Sequence, residues 1–165
     1  MKTGSALRTN RVDWEEFKRA DPELTALGEE RMEATGLVLL GTLRKNGFPR
    51  ISPVEPLLTM GRLYLGMMWQ SRKALDLLRD PRCTVHSTVS DRHGSEGEFK
   101  LYGRGLEIRD LEERRLYSEA LHEKIGFKPE EPEFHLFAVD IESAAYAVIR
   151  DGEWFRRIWN AAGRG

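Results

Sequence analysis

Ser71-Arg72-Lys73-Ala74-Leu75-Asp76-Leu77-Leu78-Arg79-Asp80 follows an apolar run over residues 63–68 and is ended by Pro81. The run reads as a strand, and the ten residues after it as a short helix lying on a sheet. Ser71 is a favourable N-cap. Ala74, Leu75, Leu77 and Leu78 form an apolar stripe at helical spacing, and Pro81 cannot continue the helix. Arg72 and Lys73 occupy the first turn. A helix N-terminus carries partial positive charge, so each cation there costs about 0.3–1 kcal/mol. A local rule broken twice in succession tends to mark a functional or strained site. Free N–H groups, a hydroxyl, a guanidinium and an ammonium converging on one point suit a phosphate. The plainer reading is a solvated cap whose long side chains extend into water. The helix alone leaves both open.

A chain of 165 residues is long enough for one domain with a real core. Its net charge of −1 argues against a general binder of nucleic acid or anionic membrane, so any positive site must be local. The one cysteine, Cys83, permits neither an internal disulfide nor a cysteine-based metal cluster. It reads as a small buried hydrophobe rather than a reactive thiol. His86, His93, His122 and His135 lack the spacing of metal ligands. They read as structural or surface residues; His86, in mid-strand, is the one best placed for catalysis. The chain shows neither an apolar signal core nor a run of membrane-spanning length. The expectation is a cytoplasmic protein with no membrane partner.

Residues 1–12 are polar and read as loose. Asp13 can cap a first helix. Asp21-Pro22 starts a second, which runs to about Ala34 with Leu24, Leu27 and Met32 facing the body. A strand over residues 37–44 meets Asn46-Gly47, the strongest short hairpin signal. The return strand, residues 49–58, contains Pro53 and Pro56, so it is either an edge or has an interrupted ladder. Residues 82–90 and 98–108 read as strands, with Gly103 and Gly105 marking a bend or bulge. Asp110 caps a helix to about Ile125, with Leu111, Leu116 and Leu121 among its apolar positions. After a rigid polar connection over 128–132, residues 134–139 and 144–149 read as two strands. Asp151-Gly152 makes a turn into a last strand over 153–159, and residues 161–165 form a tail. The fold class is mainly β with peripheral helices (α+β), an antiparallel barrel of six or seven strands. A helical segment over residues 1–35 packs on a barrel domain over 36–165, one domain in all.

No dinucleotide fingerprint, phosphate-binding Walker loop or Gly-x-Ser-x-Gly elbow is present. Instead, Arg50-Ile51-Ser52-Pro53-Val54 on the irregular strand precedes Ser71-Arg72-Lys73 by about twenty residues. With the Asn46-Gly47 strand pair, Asp80-Pro81-Arg82 and the strand Phe99-Lys100-Leu101-Tyr102-Gly103-Arg104, this order resembles the pyridoxamine-5′-phosphate-oxidase-like family of flavin-binding split barrels. The resemblance spans roughly residues 37–108.

It implies a split β-barrel that binds FMN and transfers hydride or electrons to or from a small molecule. Ser71, Arg72 and Lys73 would hold the flavin phosphate. Arg50 and the following Ile51, Ser52, Pro53 and Val54 would contact phosphate, ribityl chain and ring edge. Gly66 and Met67 would pass beside the ring. Glu98 stands where the family often has a Gln that meets flavin. Trp154, Arg156 and Arg157 are candidates to close the site. The resemblance also implies a homodimer with the flavin at the subunit interface; charge and histidine spacing leave no nucleic-acid partner and no metal expected. The C-terminal Arg-x-His segment of the pyridoxamine phosphate oxidases themselves is missing, since no His follows His135, so oxidation of pyridoxamine phosphate is not expected. The alternatives are a deazaflavin-dependent reductase, or a flavin- or heme-binding carrier or sensor without turnover. Heme would need an axial ligand such as His86 or His135. No general acid or base stands out.

Overall fold

The computed structural model describes residues 10–163. In chain order it contains α1 (Trp14–Ala20), α2 (Pro22–Glu33), β1 (Val38–Leu43), β2 (Pro49–Val54), β3 (Pro56–Thr59), β4 (Arg62–Met68), α3 (Arg72–Arg79), β5 (Arg82–Ser87), β6 (Glu98–Glu107), α4 (Leu111–Ile125), β7 (Phe134–Arg150) and β8 (Glu153–Asn160). A single 3-10 turn, Ala161–Gly163, follows. The reading of residues 1–9 as loose, and of the last two as tail, lies outside the described residues. Val12, expected in the loose stretch, is buried and bridges to Ile141. No helix among the described residues is long and apolar enough to cross a membrane.

All pairings are antiparallel, in the order β2-β1-β5-β6-β7-β4-β3, with β8 on the far half of β7. The expected return strand divides at Glu55 into β2 and β3, and the sheet has eight strands where six or seven were expected. The two pieces, adjacent in sequence, form the two ends of the sheet path. A sheet whose first and last strands are joined by one residue must curl on itself. The edges approach but do not pair, so the barrel is split rather than closed. Proline lacks an N–H for the ladder, and Pro53 and Pro56 flank this division.

The two strands expected over residues 134–149 are one strand of 17 residues. Polar Asp140, Glu142 and Ser143 interrupt its apolar run, but β6 pairs with residues 137–147 across that interruption and keeps the strand extended. Its first half also pairs with β4 and its second half with β8. The expected bulge is present. Tyr102 faces Ser143 while Gly103 faces Ile141, leaving Glu142 extra.

Asp13 caps α1 in a reciprocal capping box with Glu16, and Asp21 and Asp110 cap α2 and α4. Phe17 and Leu24 enter the barrel core with Leu40, Leu63, Val85, Phe99, Leu101 and Phe137. A smaller cluster of Leu57, Tyr64, Tyr117, Leu121, Phe134 and Leu136 lies under α4. Leu111 and Leu116, two of the apolar positions of α4, are exposed. Arg114, Tyr117, Ser118 and Leu121 form the buried face of α4 instead.

At the bulge, a Cβ on Gly103 would stand 2.0 Å from the carbonyl oxygen of Asp140. Backbone cannot yield as a flexible side chain can. Gly103→Ala should therefore lower unfolding free energy by about 1–3 kcal/mol or more, read from the urea midpoint at constant m-value. Wild-type stability in that variant would show that the bulge relaxes freely.

Candidate functional site

The connection from β4 to α3 turns through Gln70, held at φ 57. Few non-glycine residues adopt this left-handed conformation, and such strain clusters at ligand-binding and switch segments. Ser71 follows in extended conformation as N-cap, its N–H bonded to the carbonyl of Met68 at 3.1 Å. The caps of α1, α2 and α4 each accept an amide of the first turn. Ser71 does not: its Oγ is buried and has no hydrogen-bond partner. Neither Arg72 nor Lys73 has an ion-pair or hydrogen-bond partner among the described residues. The first turn of α3 thus presents unused amides, an unpartnered hydroxyl and two unpaired cations.

The expected stripe of α3 is only half right. Ala74 and Leu77 are buried, but Leu75 and Leu78 are 37% and 42% exposed. Asp76 turns inward in their place and is 3% exposed. Its Oδ2 accepts from Arg50 Nε at 2.7 Å and from Thr42 Oγ1 at 2.9 Å, and its Oδ1 from Arg79 Nη2 at 3.0 Å. Arg79 also donates to the carbonyl of Leu43. One carboxylate therefore ties β1, β2 and α3 together. Burial works to raise its pKa, but the hydrogen bonds from Arg50, Arg79 and Thr42 outweigh burial and hold it below the ordinary 3.8. Arg50 meets Asp76 through Nε alone, which leaves its two Nη atoms without a partner among the described residues.

Those Nη atoms belong to a residue that lines a cleft of about 570 Å³. Arg44, Lys45, Arg50, Arg72 and Arg79 line it, with Asp76 the one carboxylate. Arg44 and Lys45 come from the hairpin that Asn46-Gly47 builds, with Gly47 at φ 84. Their side chains, like that of Arg72, have no partner among the described residues. Ser71 and Lys73 adjoin Arg72 in sequence but do not line the cleft. Sequence reasoning missed Thr42, Arg44, Lys45, Asp76 and Arg79. A usable signal existed: an acid inside an apolar stripe, three to four residues from Arg72, Lys73 and Arg79.

The other expected site residues lie elsewhere. Strand alternation splits the Arg50 stretch. Arg50, Ser52 and Val54 pair with Thr42, Leu40 and Val38, whose side chains are buried, whereas Ile51 and Pro53 point to the opposite, exposed face. Across that face, register aligns Ile51, Gly41, Thr84, Tyr102, Ser143 and Asn160. Glu98 and Arg156 share it through Ala147. With Trp154 they line a broad depression of about 760 Å³. Glu98 is bonded to Lys100 at 2.9 Å and stands 3.7 Å from His86. Arg157, the alternative to Arg156, is instead engaged by Asp21 and Glu23 of α2. Met67 is in the core, and Gly66 backs against the ring of Tyr117; both line a third, smaller cavity.

His86 Nδ1 lies 2.6 Å from the carbonyl of Ser87. His135 is 3% exposed and stacked on Trp69 at 4.5 Å; neither ring nitrogen is hydrogen-bonded, and Nδ1 stands 3.8 Å from a carboxylate oxygen of Glu107. Cys83 is buried and its thiol is pushed up to about 12, chiefly by burial. Among the described residues no group of three or more His, Cys, Asp or Glu could hold a metal.

A family model described as pyridoxamine 5′-phosphate oxidase matches residues 24–147. No curated protein matches the chain. Among solved structures it is similar to a Clostridium acetobutylicum protein related to general stress protein 26 of B. subtilis. That likeness has TM-score 0.61 and 17% identity, over 82% of this chain and 95% of that one. It is also similar to a heme binding protein from Mycobacterium smegmatis, at TM-score 0.61 and 20% identity, over 83% of this chain and 58% of that one. HutZ, the heme storage protein from Vibrio cholerae, gives TM-score 0.58 and 17% identity, over 74% of this chain and 89% of that one. At these identities the likeness is one of fold.

Asp76→Ala should lower unfolding free energy at neutral pH by about 1.5–3 kcal/mol, the scale of a charge-assisted hydrogen bond. The folded pKa is depressed, so this stabilisation is complete above 3.8 and fades as pH falls through the lower folded value. Denaturant melts of wild type and variant should converge in strong acid. A gap independent of pH would show that the carboxylate charge is not what ties these elements.

Proposed function

Because the chain belongs to the pyridoxamine 5′-phosphate oxidase family, we propose that it binds FMN and transfers hydride or electrons to or from a small molecule. The observation that carries this reading is the start of α3, where the buried Ser71 hydroxyl lacks a partner and Arg72 and Lys73 lack counter-ions. A phosphate supplies the missing acceptor oxygens and the missing charge.

In this reading Arg72, Lys73, Ser71 and the first-turn amides hold the phosphate. Arg50 approaches it through its Nη atoms, its direction fixed by the 2.7 Å bond to Asp76. Residues 50–54, which alternate between the two sides of β2, would contact the ribityl chain and ring edge. The ring of the bound cofactor accepts and donates hydride or single electrons. Asp76 serves no proton transfer, because three donors keep it ionised.

The outer face supports a homodimer. Ile51 is 73% exposed, Trp154 66%, Ile158 53% and Tyr102 46%, and register places Ile51, Tyr102 and Ile158 on one side of the sheet. An open apolar sheet face of this kind fits a second copy of itself, and the depression lined by Glu98, Trp154 and Arg156 would then be shared between chains. The heme reading has less behind it: Trp69 covers His135, and His86 already faces a carbonyl and Glu98. The absorbance spectrum of the purified protein separates FMN, deazaflavin and heme.

Replacing Arg72 and Lys73 together with Ala should weaken FMN binding about tenfold or more while the thermal melt is retained. Unchanged affinity in a fluorescence titration removes the phosphate assignment. Sedimentation equilibrium should give twice the 19.0 kDa chain mass, and Ile158→Glu should shift the protein toward monomer. A monomeric wild type that holds FMN at full occupancy would refute the shared site.

A further inference from the structure

The basic cleft holds more positive charge than one phosphate neutralises. Arg44, Lys45, Arg50, Arg72 and Arg79 line it against the single carboxylate of Asp76; five cations against one anion leave an excess of four positive charges. A phosphate monoester carries about −1.5 to −2 at neutral pH, so it offsets about half of them. The cleft, about 570 Å³, falls within the range of whole small-molecule sites, about 300–1,000 Å³, and one phosphate leaves most of it empty. Leu75 is the one apolar residue in its lining, so the walls suit anionic groups and not a flavin ring.

The five cations are not equivalent. Arg50 and Arg72 belong to the phosphate site proposed at the start of α3. Arg79 is engaged inside the protein, where it donates to Asp76 and to the carbonyl of Leu43. Arg44 and Lys45 remain, both exposed and without a partner among the described residues. Their hairpin is not a loose loop. Arg44 N–H donates to the carbonyl of Phe48 and Gly47 N–H to that of Arg44, both at 2.9 Å, and Asn46 Oδ1 accepts from Phe48 N–H at 3.2 Å. The Arg79–Leu43 contact ties the base of the hairpin to the end of α3. Two spare cations are thus held at a fixed place in the cleft. Like charges gathered without counter-ions repel one another. The chain has 27 acidic residues, yet none but Asp76 lines this cleft.

We propose that Arg44 and Lys45 form a second anion subsite, so that the cleft takes two phosphoryl groups in succession. The first lies at Ser71, Arg72 and Lys73, and the second at the hairpin, where a guanidinium fork and an ammonium meet its oxygens. The second group is either linked to the first, as in the diphosphate of a flavin dinucleotide, or belongs to a separate phosphate beside FMN. The inference rests on the phosphate site at α3 and adds to it the class of ligand that the rest of the cleft accepts.

Isothermal titration calorimetry on the full chain tests it at about 0.15 M salt, where exposed charges are screened beyond about 8 Å. FAD is titrated into the apo chain, and inorganic phosphate into the chain saturated with FMN. At least one of the two should saturate. The double variant Arg44→Ala, Lys45→Ala should weaken that binding about tenfold, change FMN affinity by less than about twofold, and keep the wild-type thermal melt. Arg44→Lys with Lys45→Arg, which preserves both charges, should retain most of the binding. A loss seen with FAD assigns the second group to the cofactor, and one seen with phosphate to a separate ligand. The proposal is overturned if neither titration saturates up to about 10 mM, or if the double Ala variant binds FAD and phosphate as wild type does. It is also overturned if that variant loses FMN as much as FAD, since the hairpin would then serve a single phosphate. Unchanged FMN affinity in the Arg72→Ala, Lys73→Ala variant removes the α3 site and this inference with it; a silent hairpin variant removes the second subsite alone.

Discussion

A single buried carboxylate organises the functional end of this barrel. Asp76 sits where an apolar residue would be expected and holds β1, β2 and α3 through Thr42, Arg50 and Arg79. Burying a charge is expensive unless it is paired and hydrogen-bonded, and here three donors, two of them cationic, meet the carboxylate. The arrangement gives more than cohesion. Arg50 is fixed at one nitrogen and open at two, so a flexible side chain becomes a directed one. Long cationic side chains lose rotamer freedom when they bind; a guanidinium already oriented loses less. The same ion pair rolls α3 about its axis, so Leu75 and Leu78 face solvent and the first turn meets the cleft.

What the sequence disclosed was local. The capping aspartates, the Asn46-Gly47 hairpin and the Asp151-Gly152 turn stand in the structure because each depends on residues a few positions apart; the bulge at Gly103, set by a distant strand, was legible only because glycine itself marked it. The facing of α3 was not disclosed. Periodicity chose Leu75 and Leu78 for the core, whereas the partner of Asp76 lies 26 residues away. The unity of β7 was hidden for the same reason, since the strand that straightens it, β6, is distant in sequence. The basic cleft was half legible. Arg72, Lys73 and Arg50 stood out, but Arg44 and Lys45 join them only because the hairpin folds over the helix start.

Strand parity also revises the candidate site. A sequence reads Arg50 to Val54 as one contact stretch; a pleated strand sends alternate residues to opposite faces. Arg50 and Ser52 serve the inner side, and Ile51 and Pro53 the open one. One strand therefore borders both the basic cleft and the apolar sheet face. A cofactor with an anionic end and a flat apolar end suits such a strand, since passing along it means passing from one chemical environment to the other.

The split between β2 and β3 bears on how the chain comes together in time. These two strands are neighbours in sequence but stand at the two ends of the sheet. The β3–β4 hairpin can form as soon as it is made, yet the outer edge of β4 stays unpaired until Phe134–Arg150 arrives. During synthesis on a ribosome the first half of the protein is thus a set of hairpins with open edges, and the last long strand is the piece that joins them. Non-local pairing of this kind is slow, and bare edges invite wrong partners. The prolines at Pro53 and Pro56, where the two end strands meet, leave that stretch a poorer template for a passing chain.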